Sequence, residues 1–359
     1  MSLFESNSSK GIERTGRFKV TNYQVYLDIP NIRTCPNIDH LIYFLDRNGI
    51  QHLVLKLPFG HRYKLPSSFF ISSGLRHLTL ARSLIHPPPV FKGFDRLISL
   101  ELRRVTISSE SLGSLISHCP LLENLVLKNL DNPNPMEINA PKLRSFVFSG
   151  TIHCIHLKNV PLLSNASYIP TEFFVEEGHD LAKIFESISA LENLCWKQDI
   201  LQMVHVGPAK AMPTRLPSAL NCLKRLYISW ITLGEFFEFS FVLCLIRSSP
   251  NVEEIEIKVC GDPDVDHHCE PVPRDVLDEI PSSFSNMTFN HLRTVKFYDV
   301  IGAEAEMQFI KVLLAKSPAL VRMVIKPCEI GDKESLKALA EITKFQRASS
   351  KAEVEYCVD

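Results

Sequence analysis

The stretch RLISLELRRVTISSESLGSLISHCPLLENLVL (residues 96–127) holds one pattern twice. Leu97, Leu100 and Leu102 are spaced L-x-x-L-x-L, and Leu122, Leu125 and Leu127 repeat that spacing 25 residues later. In L-x-L the two leucines point to one face of a strand and the residue between them to the other. One such strand cannot bury its apolar face alone, whereas many stacked in parallel share a continuous core.

The spacing recurs along the chain. Before the quoted stretch it fits Ile50, Leu53 and Leu55, then Leu75, Leu78 and Leu80. After it come Leu143, Phe146 and Phe148, a weaker copy at Leu163, Ala166 and Tyr168, and Leu191, Leu194 and Trp196. Leu223, Leu226 and Ile228 follow, with Val252, Ile255 and Ile257, then Leu292, Val295 and Phe297, and finally Leu320, Met323 and Ile325. The early copies are roughly 20–25 residues apart, inside the leucine-rich-repeat range, and the later ones stretch to about 28–40.

Several connections carry apolar residues at helical spacing: residues 37–49, 108–120, 180–190, 235–250 and 303–318. Asp180 and Ser108 or Ser109 are expected N-caps. Pro120, Pro250 and Pro318 end three of these runs and turn the chain toward the next strand. The expected fold is therefore α/β, an irregular leucine-rich-repeat solenoid with parallel strands on its concave face and helices and loops on its convex face. The Asn or Cys that usually follows the second strand leucine is missing, so less uniform turns are expected. Residues 18–30, with Val25, Leu27 and Ile29 alternating, cap or begin one end. A helix bearing Leu336, Leu339, Ile342 and Phe345, then a strand with Val354 and Tyr356, caps the other.

Composition sets outer bounds. A net charge of −1 gives no electrostatic case for nucleic acid or an anionic membrane. No apolar run approaches the ~20 residues that span a bilayer, and residues 1–18 lack a signal-peptide core. An intracellular protein, cytoplasmic or nuclear, is expected. Its ten cysteines then read as reduced thiols, with Cys119, Cys195, Cys222 and Cys244 expected as small core hydrophobes.

The run LPSSFFISSGLRHLTLARSLIHPPPVFKGFDRLISLELRRVTISSESLGSLISHCPLLENLVL resembles the repeats of plant F-box/LRR proteins of the FBD type. HLRTVKFYDVIGAEAEMQFIKVLLAKSPALVRMVI (residues 291–325) followed by EITKFQRASSKAEVEY (residues 341–356) resembles an FBD domain, carried by Leu292, Phe297, Glu306, Phe309, Ser317, Pro318 and Phe345. The resemblance covers roughly residues 18–357. The expected organisation is residues 1–17 as a flexible N-terminus, 18–284 as the leucine-rich-repeat solenoid and, by the resemblance, 285–359 as FBD-like C-terminal repeats and cap. The resemblance further implies a substrate receptor of an SCF-type ubiquitin ligase, whose repeats choose a target protein. The F-box that docks the adaptor in such proteins is not recognisable in this sequence. Adaptor binding is thus expected only through another docking surface or a longer product. The alternative is a scaffold or decoy unconnected to ubiquitination.

No phosphate-cradling loop, nucleophile elbow or zinc-protease motif is present, and no enzymatic activity or cofactor is expected. The densest polar cluster, residues 260–275 with Cys260, Asp262, Asp264, Asp266, His267, His268 and Cys269, fits no usual zinc or EF-hand spacing and reads as a solvated insertion. The residues alternating with the strand leucines are left as the candidate contact surface. Its prominent members are Lys56, Glu101, Arg103, Lys128, Tyr227, Glu256, Lys258, Lys296 and Tyr298. Mixed charge and aromatic rings suit a protein partner better than a phosphate backbone.

Overall fold

The computed structural model describes residues 17–21, 24–28, 49–57, 63–71, 74–131, 134–151, 155–170, 184–197, 213–260, 272–328 and 332–357. They divide into two compact units, one within 1–150 and 154–160 and the other within 151–153 and 161–359.

The first unit opens with a hairpin, β1 (Arg17–Thr21) antiparallel to β2 (Gln24–Asp28). From β2 onward its main ladder is parallel, running through β3 (His52–Lys56), β5 (His77–Ala81), β7 (Ser99–Arg103), β8 (Asn124–Lys128) and β10 (Ser145–Gly150). Two short parallel pairs stand beside it. They are β4 (Tyr63–Lys64) with β6 (Ser83–Leu84), and β9 (Met136–Asn139) with β11 (Ile155–Lys158). In the second unit β12 (Asn165–Pro170), β13 (Asn193–Lys197), β14 (Arg225–Ile231), β15 (Glu254–Val259), β16 (Thr294–Val300), β17 (Arg322–Pro327) and β18 (Glu353–Tyr356) follow in sequence order, all parallel. Every copy of the spacing found in the sequence, the weak one at Leu163 included, supplies a ladder strand. The N-terminal segment begins its ladder as a hairpin, and the C-terminal strand joins its ladder at the end.

The strands are in phase. Leu53, Leu78, Leu100, Leu125 and Phe146 align in one row, and Leu55, Leu80, Leu102, Leu127 and Phe148 in a second. All ten are at most 2% exposed, so the rows are the core of the unit. Burying each such side chain contributes about 1.5–3 kcal/mol. In the second unit the outer row is bulkier: Tyr168, Trp196, Ile228, Ile257, Phe297 and Ile325. There Trp196 packs on Tyr168 and on Phe241 of the overlying helix.

Two backbone devices hold the phase. One carbonyl per rung accepts two consecutive N–H groups of the next rung: Gln51 from Arg76 and His77, Arg76 from Ile98 and Ser99, Ile98 from Glu123 and Asn124. The second unit repeats this from Ser164 through Glu192, Lys224 and Glu253 to Arg293. At the other strand end, six turns place a residue in the left-handed region: Arg82, Arg104, Asn129, Asn159, Trp230 and Asp299, with φ between 48° and 61°. Each lies two residues beyond the second apolar strand residue. At Leu57, Pro170, Val259 and Pro327 the same position is not left-handed, so the strand exits differ from rung to rung, as the missing Asn led one to expect; where the conformation occurs, arginine, tryptophan and aspartate adopt it as well as asparagine.

Helices cover the rows where the connections are long enough. α1 (Ser109–Ser117) starts at Ser108, whose hydroxyl accepts the Ser111 N–H, and buries Leu112, Leu115 and Ile116. Its C-terminus lies against Gly93, where a Cβ would fall 1.9 Å from the His118 carbonyl oxygen, so only glycine fits. α2 (Phe236–Arg247) is apolar on nearly every side and ends as Ser248 and Ser249 donate their hydroxyls back to the Cys244 and Leu245 carbonyls ahead of Pro250. α3 (Arg274–Ser283), α4 (Glu304–Lys316) and α5 (Asp332–Ile342) complete the second unit. The sequence reading did not anticipate α3, because its Pro- and Asp-rich approach read as loop throughout. The helix expected over 37–49 and the Asp180 cap lie outside the described residues. Of the four cysteines assigned to the core, Cys119 and Cys244 are buried, Cys195 is half-buried on the strand face and Cys222 is exposed. Cys222 corrects the expectation: it lies in the turn before β14, where the chain is at the surface.

Two helices share a starting device. The Glu306 carboxylate, one turn into α4, accepts N–H groups from Ile301, Gly302 and Ala303 at 3.1, 2.7 and 3.0 Å. Glu238 in α2 likewise accepts the Thr232 N–H. Glu306 is 1% exposed. Burial pushes its carboxyl up to about 7 against the downward pull of the three N–H donors. A folded-state pKa above the unfolded 4.5 means the folded chain keeps a proton that the unfolded chain releases. This contribution to stability is whole below pH 4.5 and is lost as pH rises toward 7. Glu306→Gln should remove that slope, so urea midpoints of wild type and variant at pH 5 and pH 7.5 should differ in their pH dependence, by roughly 1.4 kcal/mol per unit of pKa shift.

Candidate functional site

Because the strands are in phase, the residues between the buried rows also form rows on the opposite face of the ladder, half-exposed except at small or apolar members such as Ala81, Ser149 and Val324. In the first unit the central row is Tyr26, Val54, Thr79, Glu101, Val126 and Val147. Beside it run Lys56, Ala81, Arg103, Lys128 and Ser149. Lys56 donates to the Tyr26 hydroxyl at 2.9 Å and lies over its ring. Glu101 accepts from Thr79 at 3.2 Å and from Arg103 Nε at 2.6 Å, which fixes Arg103 next to Lys128 in register. A third row brings His52 and His77 into a parallel stack, ring centroids 4.2 Å apart. Burial, then the neighbouring His52 and Arg76, hold the His77 imidazole below its ordinary pKa.

In the second unit the central row is Ser167, Cys195, Tyr227, Glu256, Lys296 and Val324. Lys296 reaches Glu254 at 2.7 Å and Glu256 at 3.2 Å, and the hydrogen bond to Glu254 is the main reason its ammonium is held above the ordinary lysine value. The adjoining row sets Lys258 beside Tyr298. Lys258 also pairs with Asp299 at 3.2 Å and lies over the Trp230 ring at 4.6 Å. Trp230 and Asp299 are two of the left-handed turn residues, and the register shifts at both points. Such bulges re-aim side chains, here toward the same lysine. A polar ladder crosses the remaining row: Asn193 donates to Asn165 at 2.7 Å and Arg225 donates to Asn193 at 3.0 Å.

All nine residues proposed from the sequence thus lie on strand faces, but they do not form one group. Tyr227, Glu256, Lys258, Lys296 and Tyr298 come together over β14–β16. Glu101, Arg103 and Lys128 come together over β7–β8, and Lys56 stands apart on β3. The sequence reading passed over the row that precedes the first strand leucine, with His52, His77, Asn165, Asn193, Arg225 and Glu254. The same period of two that exposed the other rows would have exposed this one. Trp230 and Asp299 carried no such signal, because they face the lysine only through bulges. Among the described residues no three His, Cys, Asp or Glu side chains converge as metal ligands. Residues 262–269 of the Asp/His/Cys segment lie outside the described residues. No described helix is long and apolar enough to cross a membrane.

Comparison with known proteins gives a consistent result. Residues 38–257 match the family described as the leucine-rich repeats of the FBD-associated F-box protein At5g56370. The F-box/FBD/LRR-repeat protein At1g13570 of Arabidopsis thaliana is 31% identical over 333 residues, covering 90% of this chain and 77% of that protein. A second Arabidopsis thaliana relative, the F-box/FBD/LRR-repeat protein At5g56570, is 22% identical over 329 residues, covering 85% of this chain and 72% of its own length.

Face and core residues should respond differently to truncation. Lys296 is 28% exposed and its partners comparably so, and ion pairs at that exposure contribute about 0–1 kcal/mol. Lys296→Ala should therefore move the urea midpoint little, whereas Leu226→Ala, one strand row away and 1% exposed, should cost about 2–5 kcal/mol.

Proposed function

Since the chain belongs to the F-box/FBD/LRR-repeat family, we propose that its strand face recognises a target protein, as the substrate-binding part of an SCF-type ubiquitin ligase receptor. The observation that carries this reading is the group Tyr227, Glu256, Lys258, Lys296 and Tyr298, gathered on three in-phase strands with Trp230 at its edge. Tyrosine, tryptophan and charged groups held at fixed spacing are the composition of a protein-contact hot spot, and a rigid sheet lowers the ordering cost of binding. None of these residues contributes to the buried rows, so partner choice can vary without loss of the fold. The function is recognition, without catalysis. Residues 285–359 are read as FBD-like repeats and cap, a reading supported by β17 and β18 continuing the ladder beyond β16, with α4 and α5 in the connections.

Two measurements on residues 1–359 test the two parts of this reading. Capture from an Arabidopsis thaliana extract should yield a target that Tyr227→Ala combined with Lys296→Ala no longer retains, at a little-changed melting temperature. Retention of the same proteins by the variant would contradict the face assignment. In a pull-down against the SCF adaptor subunit, with an F-box-bearing relative as control, binding supports the receptor reading. Absence of binding restricts the chain to recognition without delivery.

A further inference from the structure

The second unit carries a cleft of roughly 410 Å3 that no strand-face row lines. Its walls are the segment that leads into β14, the C-terminal end of α2 with Pro250, and residues 286–290 ahead of β16. Leu216 and Met287, both buried, form an apolar floor. The charged side chains lining it are Arg215 and Arg247, and the exposed amide and hydroxyl groups of Asn286, Thr288 and Asn290 line the opposite side. Among the described residues that line it, none is an aspartate or glutamate.

We propose that this cleft binds a phosphate monoester dianion between Arg215 and Arg247. Two arginines sharing a cleft repel each other, and Arg215 contributes, after burial, to holding the Arg247 guanidinium below its ordinary pKa. An anion placed between them removes that cost. The planar fork of a guanidinium matches the oxygens of a phosphoryl group, and a dianion answers two such groups where a carboxylate answers one. The volume lies at the small end of ligand sites, which suits one phosphoryl group with the few atoms that carry it.

The cleft is also built in advance. The segment that follows Arg215 is fastened to the end of α2 at two points, because the Leu216 N–H donates to the Ser248 hydroxyl at 2.8 Å and the Leu220 N–H to the Ser248 carbonyl at 2.7 Å. Arg247 lies over the Phe284 ring at 4.8 Å. The far wall is held by the Phe289 N–H on the Lys316 carbonyl at 2.8 Å, and Lys316 Nζ on the Ser285 carbonyl brings a third cation near that wall. None of these groups belongs to the proposed protein-contact face, so the two proposals stand or fall separately.

The test is calorimetric titration of the full chain at constant ionic strength with inorganic phosphate, N-acetyl-phosphoserine amide, its unphosphorylated counterpart and acetate. Saturable binding of the phosphoserine probe, at least tenfold weaker in Arg215→Ala and intermediate in Arg215→Lys, is expected. Tighter binding of the ester than of inorganic phosphate would assign the site to an esterified group, and equal binding would assign it to the phosphoryl group alone. Arg215 is exposed, so both variants should melt like wild type. Absence of saturable binding, equal binding of acetate, or undiminished binding by Arg215→Ala would overturn the proposal.

Discussion

Everything in this molecule depends on neighbouring strands keeping one phase. A slip of a single residue would turn Leu100 and Leu102 outward and Glu101 inward, exchanging core for charge along the whole rung. The paired N–H bonds to one carbonyl per rung hold the strand entrance, and on several rungs a left-handed residue holds the exit. Between these two fixtures the apolar rows have one place to go. Burial then rewards the same register that the backbone bonds select, and agreement between local and global preferences is what makes a sequence fold to one state.

Much of the ladder could be read from the amino-acid order. L-x-x-L-x-L carries both the strand period and the repeat period, so the strands and the face opposite their buried rows follow from it. The Pro residues after α1, α2 and α4 marked the helix ends correctly. The short pairs β4–β6 and β9–β11 were not read, since their two to four residues lie outside the L-x-x-L-x-L copies that marked the ladder. Left-handed turns were hidden for a related reason: Arg82, Arg104, Trp230 and Asp299 are not residues that announce positive φ, and only Asn129 and Asn159 are.

The contact group over β14–β16 was legible residue by residue but not as a group. Register decides which half-exposed side chains become neighbours, and register is a property of the strand pairs. The bulges that set Trp230 and Asp299 beside Lys258 add residues that no alternation rule would select. The arginine cleft is further from view, because Arg215, Arg247 and Asn286 lie on three separate connections. Their meeting follows from where those connections pass the ends of the ladder. The buried rows and the half-exposed rows thus occupy opposite faces of the same strands, so the proposed contact residues Tyr227, Lys296 and Tyr298 can change with less effect on the fold than Leu226, Ile255 and Val295.

The most direct test of this division is hydroxyl-radical footprinting of the full chain with and without a captured target. The account predicts that Tyr227, Trp230 and Tyr298 lose reactivity together in the complex, while exposed apolar residues elsewhere, Val90 and Leu336, keep theirs. Protection of Val90 or Leu336 with Tyr227, Trp230 and Tyr298 unchanged would contradict it.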